Sequence, residues 1–272
     1  MTPTLLLALS AFLFEAGEAV AASAAAPRAR PGMVVIGPGI YRPFYPSSDR
    51  QRAIPIVGFQ LDRLPVTNGD FLAFVKANPR WRRDRVGRLF AEPGYLVQWA
   101  KADAPGAGAP SAAPVVHVSW FAAKAYCAAR GARLPRESEW EVAAQASETT
   151  ADGHLDPAVR RQVLDWYARP TPARLPLVGK SRPNYFGIHD LHALVWEWVL
   201  DFNSQLISAD DRERGDKEVM RFCGVGALDA RDPGDYASFM RLAFRSSLRP
   251  DSVVRNLGFR CAADLAATAG AP

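Results

Sequence analysis

Val116-His117-Val118-Ser119-Trp120, followed by Ala125-Tyr126-Cys127, Gly131-Ala132-Arg133-Leu134-Pro135 and Glu139-Trp140-Glu141, is the stretch on which the fold turns. Val115 to Val118 has the apolar, β-branched character of a short strand. Ser119 follows it where a side-chain oxygen caps the free amides of a helix, and the pattern predicts that helix through Ala129. Gly131 stands where a helix end calls for a left-handed residue. A further helix is expected from about Glu137 to Ala144.

Upstream, Met33 to Ile36 and Ile54 to Leu61 read as strands. Thr67 to Val75 reads as a helix, because Thr67 caps its first turn, Asp70 holds the capping-box position, and Phe71, Phe74 and Val75 form one apolar stripe. Pro79 ends it. Downstream, residues 102–114 form a turn-rich loop. The region from Asp165 to Cys261 reads mostly as loops that hold short strands at Leu194 to Val199 and Asn256 to Cys261. With 20 Gly and 22 Pro as punctuation, the pattern suits short strands and long loops and excludes a helical bundle or a regular βαβ repeat.

The 272 residues are 49% hydrophobic and 22% charged, and 14 Phe, 7 Trp and 7 Tyr supply apolar area enough to offset chain entropy, which excludes disorder. Net charge is +5. The basic residues are scattered, their densest cluster being Arg80, Arg82, Arg83, Arg85 and Arg88, with no nucleic-acid-binding motif around them, so nucleic acid is not an expected partner. An uncharged apolar run near the length of a membrane span occurs only within residues 1–14, so no transmembrane segment is expected in the mature chain. There, Thr4 to Phe14 resembles the apolar region of a secretory signal and Ala19-Val20-Ala21 a cleavage site, although no Lys or Arg precedes them; an Ala-rich leader is the alternative. The expected organisation is a signal peptide at 1–22, a linker at 23–32, one domain at 33–263 and a disordered tail at 264–272, with a periplasmic or secreted location.

The quoted blocks, in their order, resemble the core of the formylglycine-generating enzyme (sulfatase-modifying factor) family. Pro65-Val66-Thr67-Asn68, Phe186-Gly187-Ile188-His189-Asp190-Leu191 with Val195-Trp196-Glu197-Trp198, and Arg245-Ser246 through Pro250-Asp251-Ser252 to Asn256-Leu257-Gly258-Phe259-Arg260-Cys261 agree with further blocks of that family. The resemblance implies an α+β fold of the C-type-lectin-like kind with little regular secondary structure. It also implies a disulfide between Cys127 and Cys261, while the partners of a second family bridge would be Ala144 and Leu242.

The family's oxidation of a sulfatase cysteine uses a copper-binding cysteine pair, and the matching positions here are Asp232 and Ala237. Neither supplies the sulfur that Cu(I) requires. The remaining cysteine, Cys223, lies between Phe222 and Gly224 and reads either as a nucleophile or soft-metal ligand or as a small buried hydrophobe. The family's structural calcium site matches the side chains of Asp190 and Glu197 and the backbone oxygens of Ala193 and Val195, hard donors suited to Ca²⁺; a second calcium site has no matching segment between Gln145 and Pro183. His189 and His192, three residues apart, form a pair without a third ligand, so copper or iron finds no support in the sequence. His117 and His154 read as hydrogen-bonding residues.

Two functions stand open. One is an exported maturation or oxidative modification factor acting on a peptide, protein or small molecule other than the sulfatase cysteine, with a cleft holding Cys223, Trp196, Arg245, Ser246, Asp251 and Asn256. The structural alternatives are Trp196 as core, Arg245 paired with Asp251, and Asn256 as a turn residue. The other function is a non-enzymatic lectin-like module that presents loops Pro105 to Pro114 and Asn203 to Lys217 to a peptide or protein.

Overall fold

The computed structural model describes residues 29–44, 52–202 and 235–265. Near the start of the domain, β1 (Met33–Ile36) lies antiparallel to β4 (Phe59–Asp62), Ile36 opposite Phe59. On the other edge of β4 sits β7 (Ala262–Asp264), Leu61 opposite Ala262. The two ends of the domain therefore share one sheet, and Asp264, assigned from sequence to the tail, belongs to it. The expected strand from Ile54 to Leu61 is broken in two. β2 (Gly39–Tyr41) pairs with β3 (Ile54–Ile56), and Val57, 79% exposed, leads into the close approach at Gly58. A side chain at Gly58 would meet the Leu265 side chain at 2.9 Å and the Ile36 carbonyl oxygen at 3.1 Å, so the close approach favours glycine there.

α1 (Asn68–Ala77) has the expected box: Thr67 accepts from the Asp70 amide and Asp70 accepts from the Thr67 amide. α2 (Trp120–Ala129) begins with the Ser119 hydroxyl accepting from the Ala122 amide and ends before Gly131, whose φ is 65°. α3 (Glu137–Ala144) has the expected bounds. Two helices are not expected from the sequence: α4 (Pro157–Tyr167), mostly in a stretch to which it assigns no element, and α5 (Tyr236–Ser246), within the region read mostly as loops. Each has its signal, since Asp156 caps α4 ahead of a first-turn proline and Asp235 accepts from the Ser238 amide.

Val115 to Val118 is not a strand. Its polar backbone is shared among separate segments: the Val115 amide donates to Val66, the His117 amide to Val254, and the His117 carbonyl accepts from Leu96. Strand pairing within Leu194 to Val199 shrinks to β5 (Trp196–Glu197), parallel to β6 (Leu257–Gly258), the strand found within Asn256 to Cys261.

With so little sheet, indole N–H groups hold the loops. Trp198 donates to the Val118 carbonyl, Trp120 to the Val199 carbonyl and Trp99 to the Asn68 side chain. Asn68 in turn donates to the carbonyls of Pro110, Ala113 and Pro114, pinning as a strap the end of the turn-rich loop read from the sequence. Trp99, Trp198, Phe59, Phe71 and Phe259 are fully buried.

Cys127 and Cys261 form the expected bridge, their Cα atoms 5.5 Å apart across a sequence separation of 134. It ties α2 to the residue that leads into β7. Loop entropy caps its contribution at about 5 kcal/mol. Replacing both cysteines by serine should lower the midpoint of thermal unfolding by several degrees, measured by circular dichroism; an unchanged midpoint would show that packing alone fixes this junction.

Candidate functional site

α3 and α5 face each other through charge. Glu137 and Glu141 stand one turn apart on α3, Arg241 and Arg245 one turn apart on α5, and the four interdigitate. Arg241 reaches Glu141 at 2.7 Å, Arg245 reaches Glu141 at 2.7 Å and Glu137 at 3.3 Å. The Trp140 ring lies beside both guanidinium groups, 4.8 Å from Arg245 and 5.8 Å from Arg241. Arg241 also donates to Ser238 and to the Tyr167 hydroxyl.

Burial sets the electrostatics. Burial pushes the Glu141 carboxyl up, but Arg241 and Arg245 overcome it and hold it at about 2. Burial pushes Glu137 the same way, to about 7; its single, longer contact with Arg245 offsets only part of this, and the negative charges of Glu141 and Asp201 add to the rise. His192 is lowered to about 4 by burial and then by Arg241.

Next to this ladder, α4 lays Trp166 and Tyr167 against Trp196. Tyr167 stacks on it at 4.7 Å, Trp166 lies 5.6 Å away, and Phe244 covers it at 4.6 Å. A void of about 10 Å³ remains among these rings. A second pocket, about 70 Å³, opens beside the ladder with Ala237, Tyr41, Glu141, His154, His192 and Arg241 in its wall.

Trp196 and Arg245, expected to share a cleft, do lie in one neighbourhood, each lining the void among the rings. Asn256 joins them through its backbone, accepting from the Trp196 amide, while its side chain donates to Thr171. Ser246, the next residue after Arg245, has a buried hydroxyl without a hydrogen-bond partner. Asp251 is elsewhere: the suggested Arg245–Asp251 pair is absent, and Asp251 accepts from Arg249 instead. Cys223 and Asp232 lie outside the described residues, as does the loop from Asn203 to Lys217. Sequence reasoning missed Glu141, Arg241, Trp166 and Tyr167. The shared one-turn spacing of two glutamates and two arginines was the available signal.

The two carboxylates expected at the calcium site have separate protein partners. Both Glu197 oxygens accept from Arg260, at 2.8 to 3.0 Å, and Glu197 also accepts from Trp140. Asp190 accepts from the Gly179 and Ser181 amides. These carboxylates are therefore each engaged by protein donors. His189 faces the Ser181 carbonyl and His192 the Ala144 carbonyl, so the pair does not converge. Among the described residues no three His, Cys, Asp or Glu side chains gather as a metal set. Nor is any described helix long and apolar enough to cross a membrane.

Residues 19–265 match the Sulfatase-modifying factor enzyme 1-like domain. The formylglycine-generating enzyme of Streptomyces coelicolor is 35% identical over 254 residues, covering 78% of this chain and 80% of that protein. The inactive C-alpha-formylglycine-generating enzyme 2 of Bos taurus is 31% identical over 258 residues, covering 78% and 79%. The solved structure of PvdO from Pseudomonas aeruginosa is 20% identical with a TM-score of 0.46, covering 86% of this chain and 94% of that one.

Glu137 gives the ladder a pH signature. Its folded pKa lies above the ordinary carboxyl value of 4.5, so the stability it contributes is complete below that value and is lost as pH rises through about 7. Glu137→Gln cannot ionise. The variant should therefore gain on the wild type in thermal midpoint as pH climbs across that window; a constant offset between the two would contradict the raised pKa.

Proposed function

We propose, from the premise that this chain belongs to the sulfatase-modifying factor family, that it is an exported maturation or modification factor acting on a substrate other than the sulfatase cysteine. The observation that carries this reading is Ala237 in the wall of the pocket beside the Arg241–Glu141 ladder. At the position of a copper-binding cysteine stands a methyl group, and the other matching position is Asp232. The two cysteines among the described residues are joined in the bridge. A soft metal would find no thiolate pair at these positions.

What the chain offers instead is fixed charge and aromatic surface. Arg241 is held by Glu141, Ser238 and Tyr167, so its guanidinium is oriented before any ligand arrives. Burial raises the Tyr167 hydroxyl above its ordinary pKa, so it meets Arg241 as a neutral phenol. Such a site recognises shape and charge. The Bos taurus relative, named an inactive formylglycine-generating enzyme, accords with a scaffold that outlives the thiolate chemistry. The alternative of a loop-presenting lectin-like module is weakened by Asn68, which ties the carbonyls of Pro110, Ala113 and Pro114 to the core.

The test joins location and activity. Protein recovered from the periplasm should begin near Ala22 or Ser23 and leave a Cys-x-Pro-x-Arg peptide unconverted, with or without copper, when the peptide is followed by mass spectrometry. Aldehyde on that peptide would overturn the proposed chemistry. An intact Met1 on cytosolic protein would overturn export.

A further inference from the structure

Behind the strap pinned by Asn68 lies a cavity of about 390 Å³, at the lower end of small-ligand sites. It shares no lining residue with the Ala237 pocket. Its wall is apolar over Ala109, Pro110, Ala113, Val116, Pro172 and Leu175. Gln98 and His117 interrupt that wall, and both carry an unmet polar atom. Gln98 Nε2 donates to the Val116 carbonyl, but its Oε1 has no partner; nor has His117 Nδ1. Among the described residues four buried side-chain atoms lack partners, and these are two of them.

The backbone here is held out of its ordinary range. Leu96 and His117 have φ of 49° and 53°, and the Leu96 amide donates to the His117 carbonyl at 2.9 Å. The strained backbone of His117 and the two unmet polar atoms share one cavity wall, with Leu96 behind it; such costs concentrate where ligands bind. Burial and the charge of Arg255 hold the His117 imidazole below its usual pKa, so it is neutral. Arg255 completes the lining. Its Nη2 donates to the Thr171 and Pro172 carbonyls, and its Nε and Nη1 make no hydrogen bond among the described residues.

We propose that this cavity is a binding site for a small carboxylate with an apolar body and an adjacent N–H or O–H donor. The carboxylate would pair with Arg255, the body would fill the Ala–Pro–Val–Leu wall, and the donor would satisfy Gln98 Oε1, which can only accept.

N-acetyl-L-leucine has all three parts, and N-acetyl-L-leucinamide lacks the charge. Calorimetry should show saturable, low-millimolar binding of the acid, as expected of so small a ligand, and about tenfold weaker binding of the amide. Arg255→Met, on an exposed side chain, should erase that preference. Gln98→Leu should abolish binding while raising the thermal midpoint of the free protein, because an unsatisfied buried acceptor is removed. If Gln98→Leu fails to fold, Arg255→Met decides. No saturable binding by the wild type, or an acid preference that survives Arg255→Met, would overturn the site.

Discussion

The structure depends on one buried ion pair. Arg260 and Glu197 are both wholly shielded from solvent, 0% exposed at each side chain. Removing two charges from water is expensive, and such a pair holds a fold only when its remaining hydrogen-bonding capacity is met. Here it is. Besides gripping Glu197, Arg260 donates to the Asp62 and His189 carbonyls, and Glu197 accepts the Trp140 indole. β4, α3, β5 and the chain leading to β7 thus meet at one guanidinium. Beside it, Asp62 accepts from the Cys261 amide and pairs with Arg130, so the disulfide is set in the same knot. A fold with few strand ladders gains its directionality from such centres.

This constraint reaches the cleft through α3. Trp140 gives its indole N–H to Glu197 and its ring to Arg245 and Arg241, while Glu137 and Glu141 on the same helix fix α5. A single helix turn therefore couples the organising ion pair to the wall that carries Ala237. Both Glu197 oxygens are engaged by Arg260, and Trp140 adds a third donor. The chain meets the demand for positive charge at this centre with a side chain of its own.

The sequence made legible what is local. The caps at Thr67 and Ser119 and the stop at Gly131 located α1 and α2, because each is a bond between residues three or four apart. The Cys127–Cys261 bridge and the absence of thiolate at 237 came from family resemblance and not from spacing. Val115 to Val118 misled because its backbone groups bond singly to three separate segments, with His117 in a left-handed conformation. α5 went unseen although Asp235 caps it, since two of its four buried residues are charged: Arg241 and Arg245 are buried by partners about a hundred residues away. The aromatic filling by Trp166 and Tyr167 has no local signature at all.

Glu197→Gln tests the central claim most directly, with unfolding free energy measured by denaturant titration in EDTA and in excess Ca²⁺. If Arg260 is the true partner, the substitution leaves a buried guanidinium uncompensated and costs about 3–5 kcal/mol, equally in both solutions. A cost that appears only in Ca²⁺, together with a wild type that Ca²⁺ stabilises, would show that the carboxylate serves a cation and would contradict the account.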